Sequence, residues 1–170
     1  SGTSDRGHWM FGLSGAFGPN ATGNDAQTRI MGADFSLETS LEGDRYLRWV
    51  TEAIYRDYEA AGDPNNGFAA DDLEDWGLYT QLLYGINSEW EFGLRYEHAT
   101  GSGESVGTFA NRQSDSFRAD RTRVSPLAQW QFAPGAKARL QYNHDDSDDL
   151  TDDDVHSVWF DLSWSIGAGN

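Results

Sequence analysis

The sequence predicts an all-β protein, an antiparallel up-and-down barrel of eight strands, and three observations predict it. Apolar and polar residues alternate over eight separate stretches, the period of a strand whose side chains point to opposite faces. The connections between the stretches run long, short, long, short, long, short, long. Aromatic residues collect on one face and charges on the other, stretch after stretch. A barrel in water must turn its apolar face inward. Charge on the faces opposite the aromatics predicts instead a transmembrane barrel, with lipid outside and a polar interior.

Each element follows from its own alternation. The first strand is expected at about residues 9–17, with Trp9, Phe11, Leu13 and Phe17 on one face and Gly12, Ser14 and Ala16 on the other. The turn-rich run from Gly18 to Asp25 ends it. The second, about 29–39, sends Met31, Ala33, Phe35 and Leu37 outward against Gly32, Asp34, Ser36 and Glu38. A short turn at Glu42-Gly43-Asp44 leads to the third, about 46–58, where Leu47, Trp49, Thr51, Ala53 and Tyr55 oppose Arg48, Glu52 and Arg56. A long acidic loop is expected up to Asp75. The fourth (about 76–84) and fifth (about 90–96) are joined by little more than Asn87-Ser88-Glu89 and face outward with Trp76, Leu78, Leu82, Tyr84, Trp90, Phe92, Leu94 and Tyr96. The longest connection, about 99–118, is rich in Gly and Ser. In the sixth, about 122–132, Pro126 cannot donate to a ladder and predicts a bulge or local bend. Ala133-Pro134-Gly135 turns tightly into the seventh, about 136–144. An Asp-rich loop then delivers the eighth, in which Val158, Phe160, Leu162, Trp164 and Ile166 alternate with Trp159, Asp161, Ser163 and Ser165.

Composition is consistent with one domain over all 170 residues. There is no Cys, which removes disulfide frameworks and thiolate metal sites. Apolar residues are 38% and mean hydropathy is −0.67, and no run approaches the roughly 20 apolar residues of a membrane helix. A barrel strand needs an apolar residue only at every second position over about 9–11 residues, so low hydropathy does not exclude one. Seven Trp, seven Tyr and nine Phe suit aromatic girdles at two membrane interfaces. The net charge of −16 argues against a nucleic-acid partner. The opening Ser1-Gly2-Thr3-Ser4-Asp5 has no apolar signal-peptide core, so the sequence reads as a mature or trimmed chain.

Several segments resemble the C-terminal part of porin-like outer-membrane proteins of Gram-negative bacteria. They are Arg48 to Arg56, Trp76 to Tyr84, Trp90 to Tyr96, Arg139 to Asn143, and the closing Val158-Trp159-Phe160 to Ile166-Gly167. The likeness covers most of the chain but only the end of such a protein, whose barrel has many more strands. It implies a shortened form or C-terminal part of a larger barrel, passive diffusion of small solutes or ions, and an outer-membrane address. Barrels of this kind usually end in an aromatic residue that the assembly machinery reads. This chain ends Gly167-Ala168-Gly169-Asn170 and is expected to assemble less efficiently in a cell.

The candidate functional residues lie on the inward faces. Arg48, Glu52, Arg56, Glu91, Arg95, Glu97, Arg123, Lys137, Arg139 and Asp161 would line a wide lumen and set ion selectivity. In an eight-stranded barrel, whose interior side chains just fill, they would form a salt-bridge network that plugs it. Inward glycines at Gly12, Gly32, Gly77 and Gly93 leave room for long neighbours or relieve strand curvature. The lipid-facing aromatic set is Trp9, Phe11, Phe35, Trp49, Tyr55, Trp76, Trp90, Phe92, Trp130, Phe160 and Trp164.

Metal and catalytic readings rest on shorter motifs. Asp145, Asp146, Asp148, Asp149, Asp152, Asp153 and Asp154 could supply oxygens to Ca²⁺, although the run lacks the central Gly and terminal Glu of an EF-hand. A solvated acidic loop bridged by divalent ions to lipopolysaccharide is the alternative. His144 and His156 flank it and could take a transition metal. Catalysis would need a nucleophile, base and orienter in reach of one another. His98 near Glu97 and Ser102, with Asp115 and Ser116, has no such fixed spacing, so no enzyme and no cofactor beyond divalent cations is expected. The sequence thus predicts a porin-like diffusion channel with periplasmic termini, a monomer or an association of barrels. Its partners would be outer-membrane lipid, lipopolysaccharide and the assembly machinery. The alternative is a non-conducting structural or surface-binding barrel with a filled lumen.

Overall fold

The computed structural model describes residues 1–4, 7–23, 25–63, 65, 70–103, 120–147 and 154–165, and they form a single antiparallel sheet. Its strands are β1 (Gly2–Ser4), β2 (Gly7–Pro19), β3 (Gln27–Ser40), β4 (Tyr46–Ala60), β5 (Asp71–Gly85), β6 (Trp90–Gly103), β7 (Arg121–Ala133), β8 (Ala136–Ser147) and β9 (Asp154–Trp164). Each pairs with the next in sequence, so the order is that of an up-and-down meander. The eight long strands, β2 to β9, are those the alternation predicts. The three-residue β1, which folds back on β2 with Gly2 opposite Trp9, is not foreseen by it.

Two short turns carry a glycine at positive φ, Gly43 and Gly135, where a residue without Cβ adopts the left-handed conformation freely. A third is set by Asn87, whose Oδ1 accepts from the backbone of Glu89 and Trp90. On the opposite side of the sheet, Asn20 ties the β2–β3 connection to β4. Its Nδ2 donates to the carbonyl of Glu59 at 2.8 Å, and its Oδ1 accepts from the Thr22 hydroxyl at 2.6 Å.

The strands outrun their expected ends, furthest toward the long connections. β5 begins at Asp71 rather than Trp76, and β6 continues to Gly103 rather than ending at Tyr96. The acidic run Asp71-Asp72-Leu73-Glu74-Asp75, expected as loop, pairs residue for residue with Ala60 to Arg56. Arg56 bridges Asp75 at 2.6 Å, and Tyr55 donates to Glu74, so two of the charges that suggest a loop are partnered across the ladder.

Of the bulge or local bend expected at Pro126, the bulge does not form. Pro126 stands opposite Leu94, and the β7–β8 register is the same at Val124↔His144 and at Leu127↔Gln141. The ladder omits Ser125 and Pro126, and a buried hydrogen bond from the Ser125 hydroxyl to Asn143 Oδ1, 2.8 Å, joins the strands there. The one shift between β7 and β8 falls at Gln131/Ala133, beside the tight turn.

Register divides the sheet into two faces. Leu37, Trp49, Leu82, Leu94 and Pro126 follow one another across β3 to β7 on one face, and Glu38, Arg48, Leu83, Gly93 and Leu127 on the other. The most buried apolar strand residues, Ala60, Leu73, Leu83 and Leu127, all belong to the second, which is therefore the concave one. At the margins burial vanishes. On β9, Trp159 and Phe160 point to opposite faces and are 64% and 67% exposed. The hydrogen-bonded order ends at β1 and β9, so among the described residues the sheet is curled but its edges are not joined.

Candidate functional site

All ten charged residues expected inside fall on the concave face: Arg48, Glu52 and Arg56 of β4, Glu91, Arg95 and Glu97 of β6, Arg123 of β7, Lys137 and Arg139 of β8, and Asp161 of β9. All eleven aromatics of the outward set fall on the convex face. This sorting is a consequence of the two-residue strand period, which the ladders carry from each strand to the next.

The concave charges are joined across strands. Glu91 is the hub at the short-turn end: it accepts from Arg48 at 3.2 Å, from Gln129 at 2.6 Å and from the Tyr46 hydroxyl, while Arg48 also bridges Glu38 at 3.2 Å. Tyr46 and Arg48 lie on β4 and Glu91 on β6, so these bonds pass over β5. They can do so because β5 offers Gly85 at that point, opposite both Tyr46 and Glu91. A Cβ on Gly85 would collide with the Tyr46 ring.

A second group occupies the middle and the long-connection end. Arg95 bonds Glu97 at 2.7 Å and lies 4.6 Å over the Tyr79 ring; Arg123 lies 3.9 Å from Glu97 and pairs with Asp145. Glu52, Tyr79, Glu97, Arg123, Asp145 and Val155 surround a groove of about 540 Å³. Toward β9 the pairs become neutral: Asn143, almost fully buried, accepts from Ser125 and Gln141 and donates to Ser157 at 2.9 Å. Arg139 donates to Gln141 and stands opposite Asp161. Gly93 lies beneath Leu83 and Leu127 and Gly12 beside the Asp34 carboxylate, as room-making glycines should. Gly77 has its nearest side-chain atom at 3.5 Å, so crowding does not explain it.

The convex face carries an apolar band with definite ends. On β4 it runs from Leu47 through Trp49 to Tyr55, and the next two outward positions are Asp57 and Glu59, which bridge Arg29 at 2.9 and 3.4 Å. On β5 it runs from Tyr84 to Trp76, and Glu74 and Asp72 follow. Near the short turns the rings touch: Trp90 stacks on Trp130 at 5.7 Å and on Phe92 at 6.0 Å, and Phe35 meets Trp49 edge-on at 5.3 Å. The band is about nine residues long on each of these strands, the span that a tilted strand needs to cross lipid.

No family model, curated protein or solved structure matches this chain. Its chemistry is accordingly read from geometry. Alternation separates two pairs that sequence proximity suggested. Glu97 is concave, whereas His98 is convex, with Thr122 Oγ1 at 3.1 Å and the Trp76 ring at 5.0 Å, so Glu97 does not orient His98. Asp115 and Ser116 lie outside the described residues, as do Asp148, Asp149, Asp152 and Asp153. Of the remaining acidic run, Asp145 faces Arg123, while Asp146 and Asp154 stand opposite each other on the convex face. Asp145 and Asp146 therefore do not converge on one ion. Sequence reasoning overlooked Tyr46, Gln129, Ser125 and Asn143, because Gln, Asn, Ser and Tyr carry no charge signal; their shared alternation phase with Arg48 and Glu91 was the available clue.

Proposed function

We propose that this chain is an outer-membrane β-barrel wall that encloses a polar, porin-like passage for small solutes or ions. The observation that carries the reading is the exposed apolar band on the convex face, ringed by Trp, Phe and Tyr and bounded by charge. Monomeric proteins in water rarely expose contiguous apolar patches beyond a few hundred Å², and a band running along strand after strand is what lipid solvates. The strands are long enough: β2 to β9 have 11 to 15 residues, against about 9–11 for a tilted membrane-crossing strand. The short turns and both termini would then face the periplasm, and the long acidic connections would face outward, toward lipopolysaccharide and its divalent ions. The likeness to the C-terminal part of porin-like proteins agrees with this address.

A second reading is a non-conducting barrel of structural or surface-binding role, and the Glu91 hub favours it. Side chains that bond over an intervening strand are filling the concavity, as expected when only eight strands close. Planar-bilayer recording of the refolded chain separates the two readings. Discrete current steps are expected for the passage, with selectivity that changes in Arg95→Gln. Silence from a barrel shown to be folded by heat and protease resistance would overturn conduction and leave the structural role.

A further inference from the structure

We propose that His144, His156 and Asp154 form a binding site for a divalent transition-metal ion of the zinc and copper class, fastening β8 to β9 at the long-connection end. Three features of the ladder bring them together. His144 and His156 are directly opposed across β8 and β9. Opposed residues of an antiparallel pair hold their Cβ atoms about 4.5–5.5 Å apart, close enough for two imidazoles to share one ion. Asp154 stands two residues before His156 and so projects from the same convex face.

The donor atoms have already converged. One donor atom from each residue lies within 4.8 Å of the others: Asp154 Oδ2 is 3.2 Å from His156 Nε2 and 3.9 Å from His144 Nδ1, and the two imidazole rings stack with centroids 5.0 Å apart. Ligands held at about 2.0–2.1 Å around a tetrahedral ion sit roughly 3.3 Å from one another. Tyr142, on the same face, contacts His156 Nδ1 through its hydroxyl at 2.6 Å and stacks on the ring at 5.8 Å. That contact occupies one ring nitrogen and presents Nε2 toward Asp154, as an outer partner of a metal-bound histidine does.

The donor chemistry selects the ion. Two imidazoles and one carboxylate suit zinc, copper or nickel, whereas Ca²⁺ and Mg²⁺ require oxygens. Three protein ligands leave further positions open to water or to an external group. The site lies past Tyr142 and Val158, the last convex apolar positions of β8 and β9 on that side, and so outside the apolar band.

The test is calorimetric titration of the detergent-folded chain with Zn²⁺ in the presence of excess Ca²⁺, which occupies acidic oxygen sites and leaves imidazole sites free. One Zn²⁺ per chain is expected, and the thermal midpoint should rise with Zn²⁺ because only the folded ladder assembles the ligands. His156→Ala and His144→Gln should each weaken binding by more than about tenfold, and Asp154→Asn by a smaller factor. All three positions are at the surface, and heat-modified gel mobility checks that each variant is folded. Binding that is unchanged in the His144→Gln/His156→Ala pair would assign the ion to the acidic run and overturn the site. Absence of saturable Zn²⁺ binding to the parent chain would overturn it equally.

Discussion

The Glu91 carboxylate gathers three donors on the concave face from two strands: Arg48 and Tyr46 of β4 and Gln129 of β7. Its side chain is only 12% exposed, so its donors have little water to turn to when it is removed. Glu91→Ala is expected to destabilise the folded state by about 2–3 kcal/mol, the range for hydrogen bonds to a charged group with partners left unsatisfied. Lys137→Ala, at an exposed position, should change stability by less than about 0.5 kcal/mol. Urea titration of folded and unfolded fractions in detergent compares the two. Gly85 supplies an independent test of the same hub. Any Cβ there meets the Tyr46 ring, so Gly85→Ala should cost about 1–3 kcal/mol by overpacking, whereas Gly18→Ala, with nothing within 4 Å, should be near neutral. The charged members of this hub were legible in the sequence as members of an inward phase. Its Tyr46–Gly85 contact was not, since a glycine and a tyrosine become partners only when the register sets Gly85 opposite Tyr46.

At the scale of the strand, alternation was a sufficient guide to faces and an insufficient guide to ends. Every inward charge and outward aromatic of the two expected sets falls in its phase because a one-residue slip would invert a whole strand, and the ladders hold their register up to the shift beside the β7–β8 turn. Strand ends were misread where Asp and Glu accumulate, as at Asp71 to Asp75, because carboxylates are depleted in strands unless a cross-strand partner such as Arg56 is present. At Pro126 a bulge is avoided for a related reason: its missing donor is absorbed by skipping two ladder positions, with the Ser125–Asn143 bond in their place. The face assignment makes a sharp prediction in lipid. Leu94 sits mid-band on β6 and is 53% exposed, so Leu94→Arg should cost about 2–4 kcal/mol when the protein is folded into vesicles. Gln81→Glu, on the opposite face and across from Arg95, should stay within about 1 kcal/mol. If both substitutions cost the same in vesicles, the convex face does not meet lipid.

For the whole molecule the decisive question is how the two margins are satisfied. β2 beyond the stretch that β1 covers, and β9 along its outer side, present backbone groups that no other described strand pairs. In lipid each unsatisfied group costs several kcal/mol, so the margins must find strands before the sheet can reside in a membrane. The directions permit a direct join. An even number of long strands leaves β2 and β9 antiparallel, and Trp9 of β2 and Trp164 of β9 both stand at the short-turn end of the convex face. A join within one chain closes eight strands around the Glu91 hub and predicts a filled lumen. A join between two copies doubles the strand number and widens the lumen roughly in proportion, which predicts an open passage. Because the chain contains no Cys, paired cysteines report on this without background. A set placing one cysteine at Phe11 or Leu13 and the other at Phe160 or Leu162 should give, after oxidation in lipid, either a disulfide at the mass of one chain or a covalent dimer. We expect the single-chain product together with electrical silence, or the dimer together with current steps. A single-chain disulfide accompanied by steady conductance would show that eight strands leave the concave face open, and that the Arg48–Glu91–Gln129 network lines the passage without closing it.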